Sequence, residues 1–449
     1  MYIDSLLIEN IKAFSNCSLN FERPGGGFAG LNMFVGGNSA GKSTLLKCIA
    51  MAASGPTVAA QQLVTPNGWL RKDTTKGFVE LTLRWDAQRD TFASGRPPSD
   101  TFKIGLTLEA SEPGSPVVIR EKNYTTAKRT KVRTAERGPW NPDSSGWFLG
   151  AYGPLRRLTG SSTDALRYAL GRGKLASCVT LFREDAALSE SETWLKQEHA
   201  RALEQPNTGK SQFVDDVKAF LNDGLLPEKF QITKITVDQV YMSTPNGGEL
   251  PLRDLSDGCR SAYAMMLDII HNLAVAYGVT SLFSKDAEGH IVVDYPGVIL
   301  IDELEAHLHP TWQRTICEWL RTKFPKIQFF IATHSPLVLQ SADPGGIFVL
   351  PLPYEMDLGK MPRRLNDAEQ TRIVLGRAEK TLLGEAFGLK RTWSARAEKL
   401  VQTWERLNAL KEVEGKLAPR DEATLSRLNE QMQIIFDSPA VEMSDAQVC

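Results

Sequence analysis

Ile3, Leu6, Ile8 and Ile11 begin a strand-rich opening, and Leu31-Asn32-Met33-Phe34-Val35 forms a short apolar strand that runs straight into glycines. A helix is predicted from Lys42 to about Ala52. Phe78 to Trp85 then alternates at period two, the pattern of a half-buried strand. From 86 to about 250 the text is punctuated by Pro and Gly, with helical spacing over 189–226. Val237–Tyr241 and Glu249–Leu252 flank a Pro-Asn-Gly-Gly turn and read as a hairpin. Strands at Gly297–Ile301 and Gln328–Ala332 flank a helix over 310–323, which predicts a parallel βαβ unit. The final stretch is polar helix. Leu400, Trp404 and Leu407, then Leu425, Leu428, Met432 and Ile435, fall at helical spacing, with Gly415 ending one helix and Pro419 starting the next.

These patterns predict an α/β chain in four parts: a first lobe over 1–90, an insertion over 91–230, a second lobe over 231–350 and a helical region over 351–449. No repeat of fixed period and no sustained heptads occur, so a long coiled-coil arm is not expected. The chain has 449 residues, with Lys+Arg 52 against Asp+Glu 53, a net charge of -1 that gives no global attraction to DNA or anionic lipid. No apolar run reaches the ~20 residues of a membrane span, and the N-terminus has no secretory pattern. Six cysteines without CxxC pairs read as reduced thiols in a cytoplasmic protein.

Four motifs carry chemistry. Gly36-Gly37-Asn38-Ser39-Ala40-Gly41-Lys42-Ser43, followed by Thr44, fits G-x-x-x-x-G-K-[ST] after a strand and at the start of a helix. In such a loop the backbone amides wrap phosphates, the lysine reaches the β/γ-phosphates of ATP and Ser43 ligates Mg²⁺. Val298–Glu303 is an apolar strand ending in two carboxylates, Asp302 to hold the metal and Glu303 to polarise attacking water. Leu255-Ser256-Asp257-Gly258 opens a helix, where Ser256 and the Gly258 amide suit an anion. Phe329–Ser335 is an apolar strand that delivers His334 to the same sheet edge. Gln61 or Gln62 is the candidate for a metal-sensing glutamine, and Gln62 is taken as the third metal residue. His307-x-His309 has no third ligand at zinc spacing.

The order of P-loop, Leu-Ser-Asp-Gly, Asp-Glu and histidine resembles the ATP-binding-cassette ATPases over about 1–90 and 230–350. That resemblance makes Leu255–Gly258 a signature motif that meets the nucleotide of a second subunit, and His334 a γ-phosphate switch. It also makes Glu305–Pro310 a D-loop of the soluble RecF, SMC and OLD type. Within the class, Gly36–Ser43, Tyr152-Gly153-Pro154-Leu155-Arg156-Arg157, Leu255–Gly258, Ile301–Pro310 and Leu383–Leu389 resemble the PtuA-type ATPases of Septu and retron anti-phage systems. The resemblance implies an ATP–Mg²⁺ homodimer that regulates a separate HNH-type nuclease, with a RecF-like repair ATPase as the alternative. Two basic stretches, 120–137 and 154–174, are candidates for nucleic-acid contact.

Overall fold

The computed structural model describes every residue except 64, 126–132, 158–172, 206–209, 227–229, 245, 279–281, 385–386, 389–393 and 437–449. Chain packing separates two compact units, Met1–Gly388 and Leu389–Cys449. The break falls at 388/389 rather than at 350, because Ile347–Val349 and Arg363–Arg364 are strands of the central sheet.

Two sheets organise the first unit. The strands β1 (Tyr2–Ile11), β2 (Phe14–Asn20), β4 (Lys76–Arg84), β5 (Thr101–Glu109) and β6 (Val118–Glu121) form an antiparallel sheet in the order β2-β1-β4-β5-β6. The expected lobe boundary at 90 therefore cuts through one sheet, whose last two strands lie among the Pro/Gly-rich text. The second sheet has the order β16-β15-β3-β14-β13-β7, from β3 (Gly30–Val35), β7 (Leu149–Tyr152), β13 (Gly297–Asp302), β14 (Ile327–Ala332), β15 (Ile347–Val349) and β16 (Arg363–Arg364). All but β16 pair in parallel.

Parallel strands buried on both faces read as continuous apolar runs, and here each face feeds its own core. Leu31, Met33, Ile299, Ile301, Phe329 and Ile331 point into one core, built with the helices Ser189–Glu204, Lys210–Asn222, Asp257–Tyr277 and Pro310–Lys323. Phe34, Val298, Leu300 and Phe330 point into the other, shared with helix α1 (Lys42–Ser54) and the antiparallel sheet. The predicted βαβ unit is β13, the Pro310–Lys323 helix and β14, and these strands are neighbours. The hairpin is β9 (Val240–Ser243) with β10 (Glu249–Pro251), extended by β8 (Ile232–Ile235).

The second unit contains the helices Ala395–Glu414 and Pro419–Phe436, joined at Gly415 as the spacing predicts. Leu407, Leu417, Leu425 and Leu428 bury against each other, with Leu400 and Trp404 beside them. The apolar stripe of this pair thus has an internal core. Trp393 lies outside the described residues.

Candidate nucleotide site

Sheet order explains the site. Strands β3, β14, β13 and β7 run parallel and end together, in the registers Phe34↔Ala332, Ala332↔Asp302 and Ile301↔Tyr152. Their carboxyl ends release the P-loop, His334, Asp302-Glu303 and Gly153–Arg156 along one edge, the usual place for a ligand on an open α/β sheet.

Asn38, Ser39, Gly41, Lys42, Ser43, Thr44, Asp302, Glu303 and His334 line one cavity of about 640 Å³, together with Lys12 and Ala13 from the β1–β2 turn. Gly41 has φ +95°, and an added Cβ would lie 2.9 Å from the Phe14 ring, so this position requires glycine where the loop turns into α1. Lys42 donates from Nζ to the carbonyls of Gly36 (2.9 Å) and Gly37 (3.1 Å). Burial lowers the lysine from its usual range, and Asp302, Glu303 and Glu305 act against that shift. Ala40 faces the core rather than the cavity. Gly36 lies outside this cavity and serves through its carbonyl.

Ser43 and Asp302 line the same cavity, and burial pushes the Asp302 carboxyl above the usual range while the Ser43 hydroxyl acts against that shift. A hydroxyl and a desolvated carboxylate on one wall are hard oxygen donors, and they fit Mg²⁺. Glu303 is exposed and has φ +49°, a left-handed conformation uncommon away from glycine; its N–H donates to the Ala332 carbonyl at 2.9 Å. His334 is held by Glu305, whose carboxylate accepts from the His334 amide and from the Thr333 hydroxyl at 2.7 Å. The sequence reading placed Glu305 in the D-loop but did not reveal this grip on the histidine loop.

Gln62 lies elsewhere. It is buried at the end of the Pro56–Gln62 helix, where its amide donates to the Lys174 carbonyl at 3.4 Å, and it does not line the cavity. Gln61, its exposed neighbour, does not line the cavity either. Ser256 and Gly258 also stand apart from the P-loop of their own chain. Ser256 caps the Asp257–Tyr277 helix beside a second cavity of about 470 Å³, lined by Arg157, Arg253, Asp257, Arg260 and His307 among others.

Several basic residues of the two stretches are engaged inside the chain. Lys122 pairs with Glu80 (2.7 Å), and Arg137 donates to the Ser94 carbonyl (2.8 Å). Lys174 reaches the carbonyls of Ala53 (3.1 Å) and Pro139, and burial lowers its pKa to about 8. Arg156 is 3% exposed. Arg120 and Arg133, each 70% exposed, and Arg157 remain on the surface. Lys128, Arg129, Lys131, Arg167 and Arg172 lie outside the described residues.

Among the described residues, the cysteines at 17, 48, 178, 259 and 317 are buried and form no disulfide. No helix among the described residues is long and apolar enough to cross a membrane.

Comparison with known families and proteins agrees with this geometry. Residues 5–136 match the family described as "AAA domain", and residues 162–340 match "AAA domain, putative AbiEii toxin, Type IV TA system". The chain is 24% identical over 359 residues to the Septu protein PtuA of Bacillus mycoides (strain KBAB4), covering 78% of this chain and 40% of that protein. It is 38% identical over 112 residues to the "Retron Vc95 probable ATPase" of Vibrio cholerae serotype O1 biovar El Tor, covering 23% of this chain and 20% of that protein. The chain thus spans well under half the length of these curated relatives. Among solved structures it resembles an SMC head bound to the C-winged helix domain of ScpA, with 13% identity and a TM-score of 0.47, covering 81% of this chain and 98% of that one. The fold is mixed α/β with the glycine-rich loop at the carboxyl edge of a parallel sheet, and part of the chain is similar to the PtuA protein of Septu and to a retron-associated probable ATPase.

Proposed function

We propose that this chain binds and hydrolyses ATP as the ATPase subunit of an anti-phage defence complex, through a homodimer that closes over two nucleotides. The observation that carries the reading is the single cavity lined by Lys42, Ser43, Asp302, Glu303 and His334, with the Leu255–Gly258 segment outside it. Lys42 and the loop amides hold the phosphates, and Ser43 with Asp302 holds Mg²⁺, which when bound offsets charge between the β- and γ-phosphates. Glu303 accepts the proton of the attacking water, and His334 meets the γ-phosphate. The second copy supplies Ser256 and Gly258. As the PtuA resemblance implies, closure regulates a separate nuclease of HNH type.

Glu303→Gln tests the chemistry. The amide keeps the shape but accepts no proton, so ATP binding persists, turnover falls by roughly 100-fold or more and the nucleotide-bound dimer accumulates on size exclusion. Wild-type turnover in this variant would remove Glu303 from the role of base. Partner recruitment is tested by co-purification after ending the chain at Gly388, the boundary of the compact head. A cut at Gly376 would instead remove the Ala378–Leu383 helix of that head. ATPase activity is expected to remain while the nuclease is lost.

A further inference from the structure

Arg156 carries a role that its place in a basic run conceals. Strand β7 pairs with β13 only as far as Tyr152↔Ile301, then turns away at Gly153-Pro154. Four residues on, the chain sends the Arg156 guanidinium back to the edge that β7 has left. Its Nη1 donates to the carbonyls of Gly153 (3.0 Å) and Asp302 (2.9 Å), and its Nη2 to those of Glu303 (3.0 Å) and Leu304 (3.4 Å). Three consecutive carbonyls beyond the β7–β13 pairing therefore converge on one planar cation. The middle one belongs to Glu303, whose φ of +49° needs support from its surroundings. On its other side the Glu303 amide is fixed by the Ala332 carbonyl of β14.

We propose that Arg156 is a positioning residue for hydrolysis: by gripping the carbonyls of Asp302, Glu303 and Leu304 it holds the left-handed turn that aims the Glu303 carboxylate into the nucleotide cavity. The role rests on the reading of Glu303 as the base. Arg156 is buried, its Nη1 and Nη2 bonds go to carbonyls, and it borders the second cavity rather than the P-loop cavity, so affinity for ATP at the P-loop should not depend on it. Lysine cannot replace the fork, because an ammonium is a point charge without two parallel pairs of donors. Aligning a reacting group to within an ångström is worth about 100-fold in rate, so a relaxed turn appears in kcat.

The test uses the full chain and compares Arg156→Lys with wild type. We measure the affinity for a fluorescent ATP analogue, kcat and KM for ATP, and the melting temperature. Affinity and KM within about twofold of wild type, with kcat reduced at least tenfold, are the expected result. Added to Glu303→Gln, Arg156→Lys should lower turnover by no more than twofold further, because the two act through one group. A kcat near wild type overturns the proposal, as does an equal loss of kcat and affinity. If Arg156→Lys does not fold, Arg156→Gln is read by the same split; failure of both to fold marks the arginine as structural and overturns the proposal. Wild-type chain that binds ATP without hydrolysing it overturns the reading of Glu303 and this role with it. Wild-type turnover with Arg156→Lys unaffected overturns the arginine's role alone.

Discussion

The P-loop cavity and the signature surface are built differently. The residues proposed to handle phosphate and metal come from one sheet edge, where neighbouring parallel strands bring together residues as distant as Lys42 and His334. The signature segment starts a long helix and faces a different cavity, with Arg157, Arg253 and Arg260 around Asp257. The first region gathers its residues within the chain, and Ser256 and Gly258 of the other do not line that cavity. Under the proposed function, the difference separates what an isolated subunit does from what needs a second copy.

Lys42→Ala strikes the first region hardest. It removes the one side-chain cation of the P-loop, and nucleotide affinity should fall by roughly 100-fold, about 3 kcal/mol, in a titration with a fluorescent ATP analogue. Ser256→Arg places bulk and charge on the exposed helix start and should leave that titration within about twofold of wild type. Hydrolysis should fall by roughly tenfold or more, and no nucleotide-dependent dimer should form on light scattering. If both variants showed the same binding defect, the division between the two regions would be wrong.

How much of this was legible in the sequence follows the same division. The P-loop, the Asp302-Glu303 strand end and His334 are each a local pattern of apolar strand followed by polar chemistry, and the structure brings them to one cavity. Gln62 has no such frame, and its burial against Lys174 depends on residues 112 positions away. Arg156 and Lys174 read as part of a stretch for nucleic-acid contact because a sequence does not reveal which carbonyls a cation will meet. Glu305 was visible as part of a motif, but its grip on the Thr333–His334 turn arises only when β13 and β14 lie side by side. The β5 and β6 strands were missed for a related reason: their register comes from β4, while Pro and Gly nearby suggested irregular chain.

The signature helix is tied to the sheet by a buried carboxyl, which gives the comparison a pH axis. Asp268 accepts from the hydroxyls of Tyr152 (2.8 Å) and Ser191 (2.7 Å) and from the Asn272 amide (2.8 Å). Burial outweighs these donors and raises its pKa to about 6. The unfolded chain releases this proton near pH 4, so between about pH 4 and 6 the folded state binds more protons and stability falls as pH rises. The contribution is fully present below the unfolded value, and about two pH units of difference correspond to roughly 3 kcal/mol. Asp268→Asn should flatten that slope in denaturant melts taken from pH 4 to 7. A slope unchanged in the variant would assign the pH dependence to other groups.

The smallest effect should come from Gly258→Ala, and it probes a place where the two regions touch within a chain. A Cβ built on Gly258 would lie 2.3 Å from the His307 carbonyl, so the helix start and the D-loop turn meet backbone to backbone. His307 itself has φ +65°, and two residues before it Glu305 holds the His334 loop. An added methyl must push that carbonyl away, an overpacking cost of about 1–2 kcal/mol that a melting curve will register. The displacement should reach the cavity through Glu305 rather than through the P-loop. Affinity for ATP should therefore stay within about threefold, while hydrolysis falls by more than affinity does. If the variant melts at the wild-type temperature with unchanged turnover, the D-loop yields freely and Gly258 serves only the partner's nucleotide. If affinity falls as far as turnover, the two regions are coupled through the P-loop itself, and the contrast between them no longer holds.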